Sequence, residues 1–85
     1  MTGPSTIAAR IVTVLVEHAR LSRDPGSLRA DDDLYQVGMT SHASVNVMLA
    51  LEREFGIEFP DHMLKRSVFN SIAAIESAIA ELTAV

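Results

Sequence analysis

The feature that most restricts the fold of this chain is the interval at which its apolar residues return. Near the C-terminal end, Ile72, Ile75, Ile79 and Leu82 are three and four residues apart, the spacing that lines one side of an α-helix. Near the start, Ile7, Ile11, Val14, Leu15 and His18 do the same. In the middle Val45, Met48, Leu49, Glu52 and Phe55 repeat the pattern, with Val47 and Leu51 widening the apolar face. One run, Ile11 to Val16, is β-branched enough to suit a strand. No second strand-like run is present to pair with it, and a lone strand leaves its backbone unsatisfied. Helices are the solution that remains. With aromatics at 5% and apolar residues at 48% of the composition, the interior between them must be aliphatic.

Local signals set the boundaries. The first helix is expected over Ser5 to Leu21, with Pro4 tolerated at its start and Ser5 or Thr6 able to cap it. Ser22 to Thr40 reads as a long connection, with a turn at Asp24-Pro25-Gly26-Ser27 and a solvated acidic run at Asp31-Asp32-Asp33. A loop of that length in a compact domain must be pinned. Leu28, Leu34, Tyr35 and Val37 are the available pins, and Leu34 is expected to be buried. The second helix is predicted over Ser41 to Phe55, capped by Thr40 or Ser41 and stopped by Gly56. Ile57-Glu58-Phe59 forms a short extended link closed by Pro60. Asp61 then caps a brief helix through Met63 and Leu64, and Asn70 or Ser71 opens the last helix. The expectation is an all-α fold: a small four-helix bundle with three longer helices, one short helix and a long loop between the first two. The predicted core is Ile7, Ile11, Leu15, Leu34, Val45, Leu49, Phe55, Ile72, Ile75 and Ile79. The 85 residues are read as a single domain, 1–85.

Charge and composition exclude several functions. The net charge is -4, which does not suit nucleic acid and fits partners with basic docking patches. The absence of cysteine removes disulfides and thiolate metal sites. The acidic run fails as an EF-hand: counting from Asp31 puts Gln36 where the loop needs its glycine and His42 where it needs its last glutamate. No metal is expected. Met1-Thr2-Gly3-Pro4 carries no basic segment leading into an apolar run, and Ile11 to Val16 is too short to span a bilayer. The expected location is the cytoplasm. A hydrolase built on Ser41 and His42 is excluded by geometry, because adjacent residues on a helix point about 100° apart. His18 is expected to be a half-buried helix-end residue and His62 solvated.

Ser41 stands where the long loop meets the second helix, and a serine there often only caps. Its wider context is more specific. Leu34-Tyr35-Gln36-Val37-Gly38-Met39-Thr40-Ser41-His42-Ala43-Ser44-Val45 is followed by Leu51-Glu52-Arg53-Glu54-Phe55 and then Ile57-Glu58-Phe59-Pro60. This ordered set resembles the acyl carrier protein family, with its Gly shortly before Asp-Ser-Leu, Val four residues after the serine, Leu-Glu-x-x-Phe along the helix and a short Ile-Pro link. Ser71-Ile72-x-x-Ile75, Asp33-Leu34 and the first stripe extend the resemblance over nearly the whole chain. It implies a carrier rather than an enzyme. Ser41 would hold a covalent 4'-phosphopantetheine arm through a phosphodiester, and acyl or aminoacyl groups would ride on that arm as thioesters. The alternative from the residues themselves is a helical protein–protein adaptor without a prosthetic group; modification of Ser41 separates the two.

The departures from the family pattern bear on partners. Thr40 replaces the family's Asp, His42 its Leu, Asn46 stands where Glu is common, and Arg53 adds positive charge. The acidic face used by fatty-acid synthesis enzymes is therefore weakened, and the sequence looks like a stand-alone aminoacyl carrier served by a dedicated ligase or synthetase. The implied partners are a phosphopantetheinyl transferase, that loading enzyme and downstream acyl-accepting enzymes, met by a monomer. Contacts with them are expected at Thr40, His42, Ala43, Asn46 and Val47 around the exit of the arm, with Phe59 and Met63 closing the other side.

Overall fold

A computed structural model describes residues 6–83. Four α-helices follow one another: α1 (Thr6–His18), α2 (Ser41–Phe55), α3 (Arg66–Phe69) and α4 (Ile72–Thr83). Two single 3₁₀ turns, Pro25–Ser27 and Asp61–Met63, lie in the connections. No strand occurs among the described residues. The architecture is therefore the expected all-α bundle, three longer helices and one short one. Pro4 and Ser5, one of the two candidate caps, lie outside the described residues.

α1 is the central element and packs against both α2 and α4, while α3 lies on α4. Ile11, Leu15, Leu34, Val47, Leu51, Ile75 and Ile79 are fully buried, and Val14, Met39, Phe59, Met63, Phe69 and Ile72 complete the core around them. The stripes read from α1 and α4 are thus the buried faces. α1 ends at His18, short of Leu21. Just beyond it, Ser22 donates from both its N–H and its Oγ to the Val37 carbonyl, at 2.8 and 3.0 Å, which draws the chain away along the loop. His18 is exposed rather than half-buried, with its imidazole 3.9 Å from Glu17. His62 is exposed as expected.

The face of α2 is a correction. Val45 and Leu49, expected in the core, are 51% and 49% exposed. The buried pair is Val47 and Leu51. Two residues along a helix is a rotation of about 200°, so these are opposite sides of α2, and both carry an apolar pair four residues apart. α1 takes the Val47 side. Ile7 and Phe55 are half-buried at the edge of the core. Arg10 fixes the antiparallel α1–α2 pair from outside: its guanidinium donates to the Glu54 carboxylate at 2.8 Å and to the Glu54 carbonyl at 2.7 Å, and lies 4.3 Å from the Phe55 ring centre. The orientation of α2 has a direct test. Val45→Ser should change stability by no more than about 0.5 kcal/mol, as an exposed substitution does, and Val47→Ala should cost about 1–3 kcal/mol, both measured by urea denaturation. Equal costs would place α2 in the wrong rotation.

The link after α2 differs from expectation in the same way. Gly56 ends the helix in the left-handed region at φ 64°, where a side chain is strained. The Phe59 N–H donates to the Glu52 carboxylate at 2.9 Å. That bond folds the link back, and Phe59 meets Phe69 edge to face with ring centres 5.2 Å apart. The segment predicted as a brief helix at Asp61 is only a 3₁₀ turn, without a side-chain cap; the short α-helix comes later, at Arg66–Phe69.

Candidate functional site

The long loop is hung at several points, and these fix where α2 begins. The Leu34 N–H donates to the Asn70 carbonyl at 2.7 Å, and the Ala73 N–H to the Ala30 carbonyl at 2.8 Å. The loop is thereby tied to the α3–α4 junction. The Leu34 carbonyl accepts from Met39 at 3.0 Å and from Val37 at 3.2 Å, so the chain wraps tightly around the buried Leu34. The acidic run serves the same turn: Asp32 accepts from the Arg29 N–H and Asp33 from the Tyr35 N–H. Gly38 sits at φ 111°, and a Cβ there would approach the Ser22 nitrogen to 3.4 Å; only glycine makes that bend without strain. Met39 then plugs the core at 2% exposure, and the next residues emerge at the surface.

Thr40 caps α2. Its Oγ1 accepts from the Ala43 N–H at 3.0 Å, so the capping role open to either residue in the sequence falls to Thr40. Ser41 is the first residue of the helix and is exposed. Its carbonyl accepts from the Ser44 hydroxyl at 2.7 Å, while no hydrogen bond among the described residues engages its own hydroxyl. Two other serines are occupied: Ser44 Oγ in that bond, and Ser71 Oγ as acceptor from the Ala74 N–H at 3.1 Å at the start of α4.

Beside Ser41 runs an open groove of about 370 Å³, lined by Tyr35, Ser41, Ser44, Val45, Met48, Leu64, Lys65, Arg66 and Phe69. The Arg66 guanidinium stacks on the Tyr35 ring, 3.9 Å from its centre, which joins the two walls. Of the residues expected to meet a partner, Thr40, His42 and Asn46 are exposed and Ala43 is half-buried, all on the first turns of α2. Val47, Phe59 and Met63 are buried, at 0, 4 and 7% exposure, and cannot serve. Val47 points into the α1 interface, and Phe59 and Met63 are drawn into the core by the folded-back link. In their place the surface near Ser41 presents Val45, Leu49 and Leu64, each about half exposed. Lys65, Arg66 and Tyr35 were not singled out in the sequence as site residues; nothing short of the fold brings residues so far apart in the chain to one groove.

An exposed, unengaged hydroxyl on the first residue of a 15-residue helix fits a phosphodiester attachment. The free N–H groups and the positive end of the helix dipole favour an anion there, and no acidic residue occupies the first turn of α2. Comparison with known proteins converges on the same chemistry. A family model described as a phosphopantetheine attachment site matches residues 9–79. An aminoacyl carrier protein of Agrobacterium fabrum is 41% identical over 71 residues, 84% of this chain and 86% of its own length. A solved complex of an engineered Bradyrhizobium japonicum glycine:[carrier protein] ligase with a carrier protein from Agrobacterium tumefaciens and ATP contains a similar chain. That match has a TM-score of 0.86 at 38% identity and covers 89% of this chain and 99% of that one. A complex of the Bradyrhizobium japonicum glycine:[carrier protein] ligase with glycylated carrier protein matches with a TM-score of 0.68 at 28% identity, over 85% of this chain and 96% of that one. The chain belongs to the phosphopantetheine attachment site family, and it is a carrier protein, not an enzyme.

Proposed function

We propose that Ser41 bears the 4'-phosphopantetheine arm, that the arm is loaded with an amino acid by an ATP-dependent ligase, and that the aminoacyl group is then passed to an acceptor enzyme. The observation that carries the assignment of Ser41 is the division of labour at the start of α2: Thr40 makes the capping bond, so the Ser41 hydroxyl is exposed and free. A transferase supplies the arm from coenzyme A; the Ser41 oxygen bonds to phosphorus, the hydroxyl proton is released, and adenosine 3',5'-bisphosphate leaves. When bound, the arm supplies a terminal thiol for thioester formation. The protein's own contribution is placement: Met39 and Leu34 anchor the loop, Thr40 ends it, and α2 presents Ser41 on its first turn, where the helix N-terminus would favour the phosphate.

The amino-acid cargo is supported by the relatives, which are an aminoacyl carrier protein and carrier proteins held by glycine:[carrier protein] ligases. The partner surface is proposed as Thr40, His42, Ala43 and Asn46 together with the exposed Val45 and Leu49. Such contacts release after each delivery and belong at the small end of interface sizes. In the test, holo protein is incubated with ATP, a glycine:[carrier protein] ligase and a panel of amino acids, and its intact mass is followed. One aminoacyl group per chain, removed by hydroxylamine as a thioester is, is the expected result. His42→Leu combined with Asn46→Glu should slow that loading several-fold while leaving the fold intact. Loading by a fatty-acyl enzyme and by no amino-acid ligase would overturn the amino-acid reading.

A further inference from the structure

The groove beside Ser41 is positively charged in a chain whose net charge is negative. The protein carries 11 acidic and 7 basic residues, yet two of the basic ones, Lys65 and Arg66, line this groove and no carboxylate does. Among the described residues the ion pairs are Arg10–Glu54, His18–Glu17 and Arg29–Asp31, so neither cation is paired with an acid among them. The Arg66 guanidinium carbon lies 3.9 Å from the Tyr35 ring centre, a cation–π contact that leaves its N–H donors able to take a second partner. The same groove is lined by the apolar Val45, Met48, Leu64 and Phe69. Two cations and four apolar side chains in one groove are complementary to an anion joined to a hydrocarbon.

We propose that Lys65 and Arg66 seat the phosphodiester of the arm, and that the dimethyl-bearing carbons next to that phosphate rest against Val45, Met48 and Leu64. The inference rests on Ser41 being the attachment point. Arg66 and Lys65 are positioning residues: they hold the base of the arm against the α2–α3 groove and limit the directions in which its far end projects. Guanidinium–phosphate pairing is charge-assisted and can be bidentate, so Arg66 contributes direction as well as charge. The same two cations repel the ammonium of an aminoacyl thioester, which keeps the loaded end out of the groove and open to a partner.

The test uses holo protein, checked first by intact mass, and reads the ³¹P resonance and relaxation of its single phosphodiester. In the parent, the phosphorus should tumble with the protein at low salt. Lys65→Gln combined with Arg66→Gln should move the resonance and release the phosphorus to faster local motion, with the amide spectrum of the helices unchanged. Raising salt to about 1 M, where the Debye length is about 3 Å, should move the parent in the same direction. Arg66→Lys should fall between parent and double variant. Identical ³¹P shift and relaxation in parent and double variant would overturn the proposal. If that variant also loses ligase binding, the two cations belong to a partner surface instead. Absence of added mass in the parent would overturn the attachment reading itself, before any spectrum is taken.

Discussion

Ser41→Ala should abolish uptake of the phosphopantetheine arm completely while leaving the protein folded and as stable as the parent to within about 0.5 kcal/mol. In the proposed attachment the side-chain oxygen is the atom that bonds to phosphorus, so the loss is complete; without it no weaker version of the bond exists. The fold survives because Ser41 holds nothing up. The capping oxygen at this helix start belongs to Thr40, and Ser41 contributes a backbone carbonyl, which alanine also has, to the Ser44 hydroxyl. Nor should a neighbour take over. Thr40 Oγ1 is occupied by the Ala43 N–H, and Ser44 Oγ is turned back along the helix to the Ser41 carbonyl. Intact mass after treatment with coenzyme A and a broad-specificity transferase reads the first half of the prediction, and urea denaturation the second. An alanine variant that still gains the arm would remove Ser41 from the account.

Ile75→Ala should have the largest effect on stability, about 2–5 kcal/mol. Ile75 is fully buried in α4, within the cluster shared by α1, Leu34 and the α2 pair Val47 and Leu51. Truncation removes apolar contact and leaves a cavity that the surrounding helices fill only in part. Domains of this size stand only about 5–15 kcal/mol above their unfolded state, so the loss is a large share of the whole. The consequence reaches the site. The Leu34 N–H bonds to the Asn70 carbonyl just ahead of α4, and the Ala30 carbonyl accepts from Ala73 within α4. The loop that delivers Met39, Thr40 and Ser41 therefore depends on α4 being in place, and arm uptake by Ile75→Ala should fall at a lower temperature than in the parent. A variant that melts like the parent would mean that α4 does not pack as described.

What could be read from the sequence follows the one-sidedness of each segment. α1 and α4 each carry a single apolar stripe, so the period names both the helix and its buried face. α2 is apolar on two sides, and the period names the helix only; the choice between Val45–Leu49 and Val47–Leu51 is made by α1, which the local sequence does not contain. Phe59 and Met63 lie in a segment too short to have a period, and their burial depends on the Glu52 carboxylate reaching the Phe59 N–H. Met39 is a lone apolar residue at the end of a loop, and it is buried because Leu34 pulls the chain around it. At the site, the order of residues from Leu34 to Pro60 made Ser41 legible as the candidate attachment point, which stands as a proposal. The groove was not, since Tyr35, Val45 and Arg66 belong to three separate stretches and meet only when the link folds α3 back across the start of α2.

The central claim is the position of the arm, and the most direct measurement is to find it. The chain is coexpressed with a broad-specificity phosphopantetheinyl transferase, the intact mass is taken, and peptide fragmentation places the modification. The account predicts one phosphopantetheine group per chain, on Ser41. A group on Ser44 or Ser71, or a chain left unmodified by several transferases, would contradict it.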